Sequence, residues 1–201
     1  SEPTREGLNT YLLCDPANSK RKGSDFTTFW VVGLGPDRNY ILLDLVRDRL
    51  NLTERTQTLF DLHKAWHPHA VGYEQYGMQA DIEYLRERME RENYRFDITE
   101  VAGITSKQDR IKRLLPIFEQ GRMWLPKSLH ATDWQRSTVD LVHDFVEQEY
   151  MAFPVGAHED ALDALSRICE PDLKLKWPKD EKPQTYVPPA RVPNAQTAWM
   201  A

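Results

Sequence analysis

Residues 10–15, TYLLCD, run from apolar side chains that belong in a core directly into a carboxylate, Asp15. A charge at the end of a buried strand is costly unless something pairs with it, which raises the question of what cation Asp15 meets. Two more short runs follow, 26–34 (FTTFWVVGL) and 39–46 (NYILLDLV), both rich in β-branched and aromatic side chains. Turn-like NSKRKGSD and GPDRN separate the three, which predicts a three-stranded antiparallel meander.

Helical signals come next. Asn51 and Glu54 form a start signal, and Leu59, Leu62, His63 and Trp66 then recur at helical spacing. HAVGYE (69–74) predicts a brief strand ending in Glu74, followed by a helix near 78–92 with Ile82, Leu85 and Met89 on one face. FDITEVA predicts another strand. Ser106 opens a helix carrying Ile111, Leu114, Leu115 and Phe118, kinked at Pro116 and closed by Gly121. RMWLP reads as an edge strand, residues 132–148 as an amphipathic helix and 158–169 as a last short helix. The expected class is α/β, a mixed sheet of the meander plus parallel strands, flanked by helices. Residues 1–170 form the folded domain in this reading. Residues 171–201, with six of the thirteen prolines and no periodicity, form an extended tail, ordered only where it lies on something.

The length of 201 residues and the 40% hydrophobic content suffice for one sizeable core. No apolar run is long enough to span a bilayer and no signal peptide opens the chain, so the expectation is a protein neither secreted nor embedded in a membrane. Cys14 and Cys169 form no C-x-x-C pair and read as reduced, buried thiols. The six histidines include no H-E-x-x-H motif, and no G-x-x-x-x-G-K-[ST] loop is present for ATP.

The acids carry the chemical signal. Asp15 and Glu74 both end strands, and strand ends are where α/β sheets place ligands. Two acids there repel, so the pair implies a hard cation held by oxygen. In HEDALDAL, Asp160 and Asp163 lie three apart on a helix whose buried side is marked by Ala161, Leu162, Leu165 and Ile168. Asp160, at the edge of that side, is the expected ligand, with Asp163 second and more exposed. Each acid alone also fits a plain structural use: an Asp-Pro turn at Asp15, a surface acid at Glu74, a solvated helix start at Asp160 and Asp163.

A net charge of −5 gives no global attraction to nucleic acid, so contact with DNA requires local cations. Lys20, Arg21 and Lys22 lie in the loop after the first strand. Lys107 and Arg110 lie at a helix start, where the macrodipole disfavours positive charge and a phosphate would be welcome.

Taken together, CDPANSKRKGSDFTTFWVVG, GYEQYG, SKQDRIKRLLPIFEQGRMWLP and HEDALDALS resemble the C-terminal nuclease domain of tailed-bacteriophage terminase large subunits, within the ribonuclease H-like superfamily. The resemblance implies an endonuclease that cuts concatemeric viral DNA during packaging with two Mg²⁺ or Mn²⁺ ions. It places their ligands on Asp15, Glu74 and Asp160, with Asp25 or Asp163 as a further one. Many relatives have Asp where this sequence has Glu159. Two such ions activate water and stabilise the leaving oxygen in an in-line displacement. The resemblance also implies double-stranded DNA, the terminase ATPase domain, the small terminase subunit and the portal as partners, in the cytoplasm of an infected bacterium. The chain resembles the nuclease part alone. A RuvC-like junction resolvase would use the same acids, and a DNA-docking module of the motor would keep the fold without cleavage.

Overall fold

The computed structural model describes residues 6–16, 26–74, 79–101 and 105–179. Three strands come first: β1 (Asn9–Asp15), β2 (Thr27–Leu34) and β3 (Tyr40–Asp48). They pair antiparallel, as the meander predicts, with a β-bulge at Val31/Val32. Helix α1 (Leu52–Trp66) then crosses to β4 (Ala70–Glu74), and α2 (Gln79–Glu92) to β5 (Ile98–Val101). Both β4 and β5 run parallel to β1, giving the sheet order β5-β4-β1-β2-β3-β6, where β6 (Met123–Trp124) pairs parallel with β3. The mixed sheet expected from the sequence is therefore present.

Alternation along the strands explains why β1 is apolar from Tyr11 to Cys14. Leu13 and Trp30 face one layer with Phe145, Leu162 and Leu165, while Leu12, Cys14 and Phe29 face another with Leu59, Phe60, Ile82 and Leu85. With both faces covered, every strand position must be apolar until the strand leaves the core. The α1 start is the capping box read in the sequence: the Asn51 side chain accepts from the Glu54 amide, and Glu54 accepts from the Asn51 amide, both at 2.9 Å.

Two elements differ from expectation. The helix expected from Ser106 to Gly121 is two short ones, α3 (Lys107–Lys112) and α4 (Leu115–Glu119), because Pro116 lacks the N–H that would continue the first and suits the first turn of the second. The amphipathic helix expected over 132–148 is instead a hairpin, β7 (His130–Thr132) and β8 (Thr138–Asp140), followed by α5 (Leu141–Asp144) and a π-helical segment, Phe145–Tyr150. The turn chemistry wins: Asp133 Oδ1 accepts from the amides of Gln135 (2.9 Å) and Ser137 (2.8 Å), and Arg136 takes φ +64°. Helix α5 starts only at Asp140, whose side chain accepts from the amides of Val142 and His143.

Helix α6 (Asp160–Ser166) and two 3₁₀ turns, Arg167–Cys169 and Pro171–Leu173, complete the fold. The packed chain extends past residue 170, where composition drew the boundary. Leu173 is buried against Gly72, where a Cβ would come within 2.9 Å of its Cδ2. The Lys176 amide donates to the Tyr11 hydroxyl (2.7 Å), and Trp177 packs edge-on against Tyr40 between Arg38 and Arg122. Among the described residues no helix is long and apolar enough to cross a membrane.

A buried ion pair ties the α1/α2 layer to the sheet. Arg55 donates through Nε and Nη2 to both Asp81 oxygens at 2.5 Å, and the Tyr73 hydroxyl donates to Asp81 at 2.6 Å. Asp81→Asn leaves a buried guanidinium without its counter-charge, and we expect a loss of about 3–5 kcal/mol in a urea unfolding titration. On the same layer His63 stacks on Phe96 at 4.0 Å, and its Nδ1 lies 2.7 Å from the Tyr94 hydroxyl. Burial, and then His67 nearby, lower its pKa to about 4. A base that resists protonation in the fold but not when unfolded stabilises the fold fully above about pH 6.5, and loses that contribution as pH falls toward 4. An NMR titration should place the His63 midpoint near 4, well below that of an exposed histidine.

Candidate active site

Parallel pairing of β1 with β4, with Cys14 opposite Tyr73, brings the ends of the two strands side by side. One residue on, the pleat turns Asp15 and Glu74 to the same face, the one covered by α6. Asp163 meets them from α6. Ligand oxygens of Asp15, Glu74 and Asp163 all lie within 4.8 Å of one another.

Helix α6 is held by contacts along its first turn. Trp30 Nε1 on β2 donates to the Ala161 carbonyl (2.7 Å), and Glu149 Oε2, from the π-helical segment, accepts from the Leu162 amide (2.8 Å). Burial raises the pKa of Glu149, while Arg47, 3.1 Å away, and the Leu162 amide pull it back. A buried acid at the start of α6 complements the free amides there.

Two buried arginines aim the acids. Arg110 on α3 grips Asp163 with Nε (3.1 Å) and Nη2 (2.8 Å), and its Nη1 donates to the Thr105 carbonyl (2.8 Å). Arg167, 1% exposed, pairs with Glu74 at 2.5 Å and reaches Glu170, which also pairs with Arg113 at 3.3 Å. Even so, burial, then the charges of Glu74 and Asp163, push Asp15 well above the usual carboxylate range. The arginines neutralise Asp163 and Glu74 from behind and leave Asp15 crowded by like charges.

Asp160 stands beside this group. Its Oδ1 is 3.7 Å from Lys107 Nζ and its Oδ2 is 4.0 Å from His158 Nδ1, yet Oδ2 is buried without a hydrogen bond. The close trio thus contains Asp163 where the sequence favoured Asp160, and Asp163 is 4% exposed rather than the more exposed of the two. The wheel argument assumed a solvated side, but every residue of α6 is buried. Arg110 is likewise buried and bound to Asp163, so it is no free cation for phosphate. Lys107 keeps 40% of its side chain exposed; burial works against its ammonium, but Asp160, Asp163 and Asp15 outweigh that and raise its pKa. Asp25, Lys20, Arg21 and Lys22 lie outside the described residues. The sequence reading missed Arg167 and Glu149; a charge inside the apolar stretch DALSRIC was the available signal for the first.

The donor set fits a hard dication. Three carboxylate oxygens converge within 4.8 Å, and Mg²⁺ with ~2.1 Å bonds would hold its ligands about 3–4 Å apart, inside that bound. Mg²⁺ or Mn²⁺ should therefore raise the thermal midpoint, because binding to the folded state alone stabilises it by ~2.7 kcal/mol at a hundredfold excess over Kd. We expect this shift to vanish in Asp15→Asn and Asp163→Asn and to shrink in Asp160→Asn, read by differential scanning fluorimetry.

A family model described as a terminase RNaseH-like domain matches residues 12–170. Among solved structures, the chain is similar to the large terminase nuclease from the thermophilic phage G20c, at 16% identity and a TM-score of 0.54, covering 82% of this chain and 83% of that one. It also aligns with the yeast mitochondrial Holliday junction resolvase Ydc2, at 10% identity and a TM-score of 0.42, covering 78% and 75% of the two chains. No curated protein sequence matches.

Proposed function

Because the chain belongs to the family of terminase RNaseH-like domains, we propose that it is a divalent-metal-dependent endonuclease that cuts double-stranded viral DNA into packageable lengths. The observation that carries this reading is the convergence of Asp15, Glu74 and Asp163 within 4.8 Å. Two Mg²⁺ or Mn²⁺ ions bound there would supply an activated water and a stabilised leaving oxygen for in-line phosphodiester hydrolysis. Asp15, Glu74 and Asp163 would hold one ion, and Asp160, with an oxygen free of hydrogen bonds, would complete the set for the second.

The remaining work belongs to the protein. Arg110 and Arg167 hold Asp163 and Glu74 aimed, so little reorganisation is needed when ions and substrate arrive. Lys107, half-exposed beside Asp160, would take a non-bridging phosphate oxygen of the strand being cut. Mounting the acids on strand ends and on a helix packed on all sides fixes their spacing. The partners in this reading are the terminase ATPase domain, the small terminase subunit and the portal, and the setting is the cytoplasm of an infected bacterium.

Supercoiled plasmid incubated with the chain should be cut in Mn²⁺ or Mg²⁺, and cutting should stop with EDTA and in Asp15→Asn. Intact plasmid under every metal condition, from a folded sample, would refute the nuclease reading in favour of DNA docking without cleavage. Lys107→Ala should weaken DNA binding and lower the slope of log K against log salt by about 0.9, the share of one phosphate contact.

A further inference from the structure

The β7–β8 hairpin carries an exposed indole at its turn. Trp134 is 41% exposed, and Met151 and Val155 are the other large apolar side chains left open among the described residues. Trp134 is the one aromatic of the three. The main chain already fastens the hairpin: the Trp134 amide donates to Asp48 Oδ1 (3.2 Å), and Asp133 closes the turn on Gln135 and Ser137. The indole is therefore not required as the clamp between hairpin and sheet.

Its surroundings lead to the acids contact by contact. The Arg49 guanidinium lies 5.0 Å from the Trp134 ring centroid and 4.5 Å from that of Phe26. Phe26 also carries Arg47 at 4.1 Å and meets His158 edge-on at 5.8 Å. His158 in turn lies 4.0 Å from Asp160. Aromatic rings and cations thus alternate in a chain of contacts that ends at Asp160. A nucleic-acid strand favours an exposed ring there, because its bases stack on an open ring face such as that of Trp134. Sheet register sets the length. Asp15 is opposite Thr28, and Thr28 is opposite Arg47, so Asp15 and Arg47 are two inter-strand spacings, about 10 Å, apart. Asp48, the anchor of Trp134, is the next residue.

We propose that Trp134, backed by Arg49, is a stacking platform for the DNA strand, holding a nucleotide about three or four positions from the phosphate that is cut, given a rise of ~3.4 Å per nucleotide. The proposal rests on the nuclease reading and adds a contact that fixes the strand's path through the site. The nucleotide stacked there is displaced or frayed from the duplex, since a paired base offers no free face.

The test uses the full chain, with binding of a short labelled duplex and of the matching single strand in Ca²⁺, and plasmid cutting in Mn²⁺. Trp134→Leu should weaken binding about fivefold or more, with the larger loss on the single strand, and leave the thermal midpoint unchanged; Trp134→Phe should restore most of the affinity. DNA should also quench indole fluorescence in the wild type, and that quench should be absent in Trp134→Phe. Wild-type affinity in Trp134→Leu, a loss that Trp134→Phe does not restore, or an unchanged quench in Trp134→Phe would overturn the platform. Wild-type protein that neither binds nor cuts DNA would overturn the nuclease reading and the platform with it, whereas cutting by the wild type with indistinguishable Trp134→Leu would sink the platform alone.

Discussion

Like charges forced together at the ends of β1 and β4 are the constraint around which the molecule is organised. Asp15, Glu74 and Asp163 would drive one another apart or take up protons if left to themselves. Buried counter-charges oppose that outcome without filling the space between the acids. Arg110 comes from α3 and Arg167 from the turn after α6, so each arginine binds an acid to a different part of the chain. Removing Arg110 would leave the buried Asp163 carboxylate unpaired, so this contact holds the short α3 against α6.

The opposite face of the sheet supports the same geometry. Tyr73, immediately before Glu74, donates to Asp81, and Asp81 is gripped by Arg55. The end of β4 is thus fixed on one side by the α1/α2 layer and on the other by Arg167. Glu149 does the equivalent for α6, capping its first turn while pairing with Arg47 of β3. Strand ends, helix start and arginines are thus each held by ionic contacts, with Lys107 and His158 beside Asp160.

Much of this was legible in the residues. The three apolar runs could only be paired strands, Asn51 and Glu54 gave the start of α1, and the position of acids at the ends of TYLLCD and HAVGYE gave two members of the cluster. The hairpin at 130–140 was missed because its apolar positions also fit helical spacing over a longer window. Its decisive features are local: the Asp133 turn, and a cap at Asp140 in the middle of the presumed helix. Asp163 was ranked below Asp160 because a helical wheel distinguishes buried from solvated sides only when a solvated side exists, and α6 has none.

The sequence by itself determined the strand order's raw material, the apolar alternation that buries β1, and the residue types able to bind a hard cation. These are local properties: periodicity, caps and the cost of a charge beside a core are all written within a few residues. Only the tertiary structure decided which acid joins Asp15 and Glu74, that Arg110 serves Asp163 instead of phosphate, and that Arg167 stands behind Glu74. Those choices depend on contacts between residues such as Arg110 and Asp163, or Glu74 and Arg167, far apart along the chain. Such pairings are set by how the layers pack, and no spacing along the sequence encodes them.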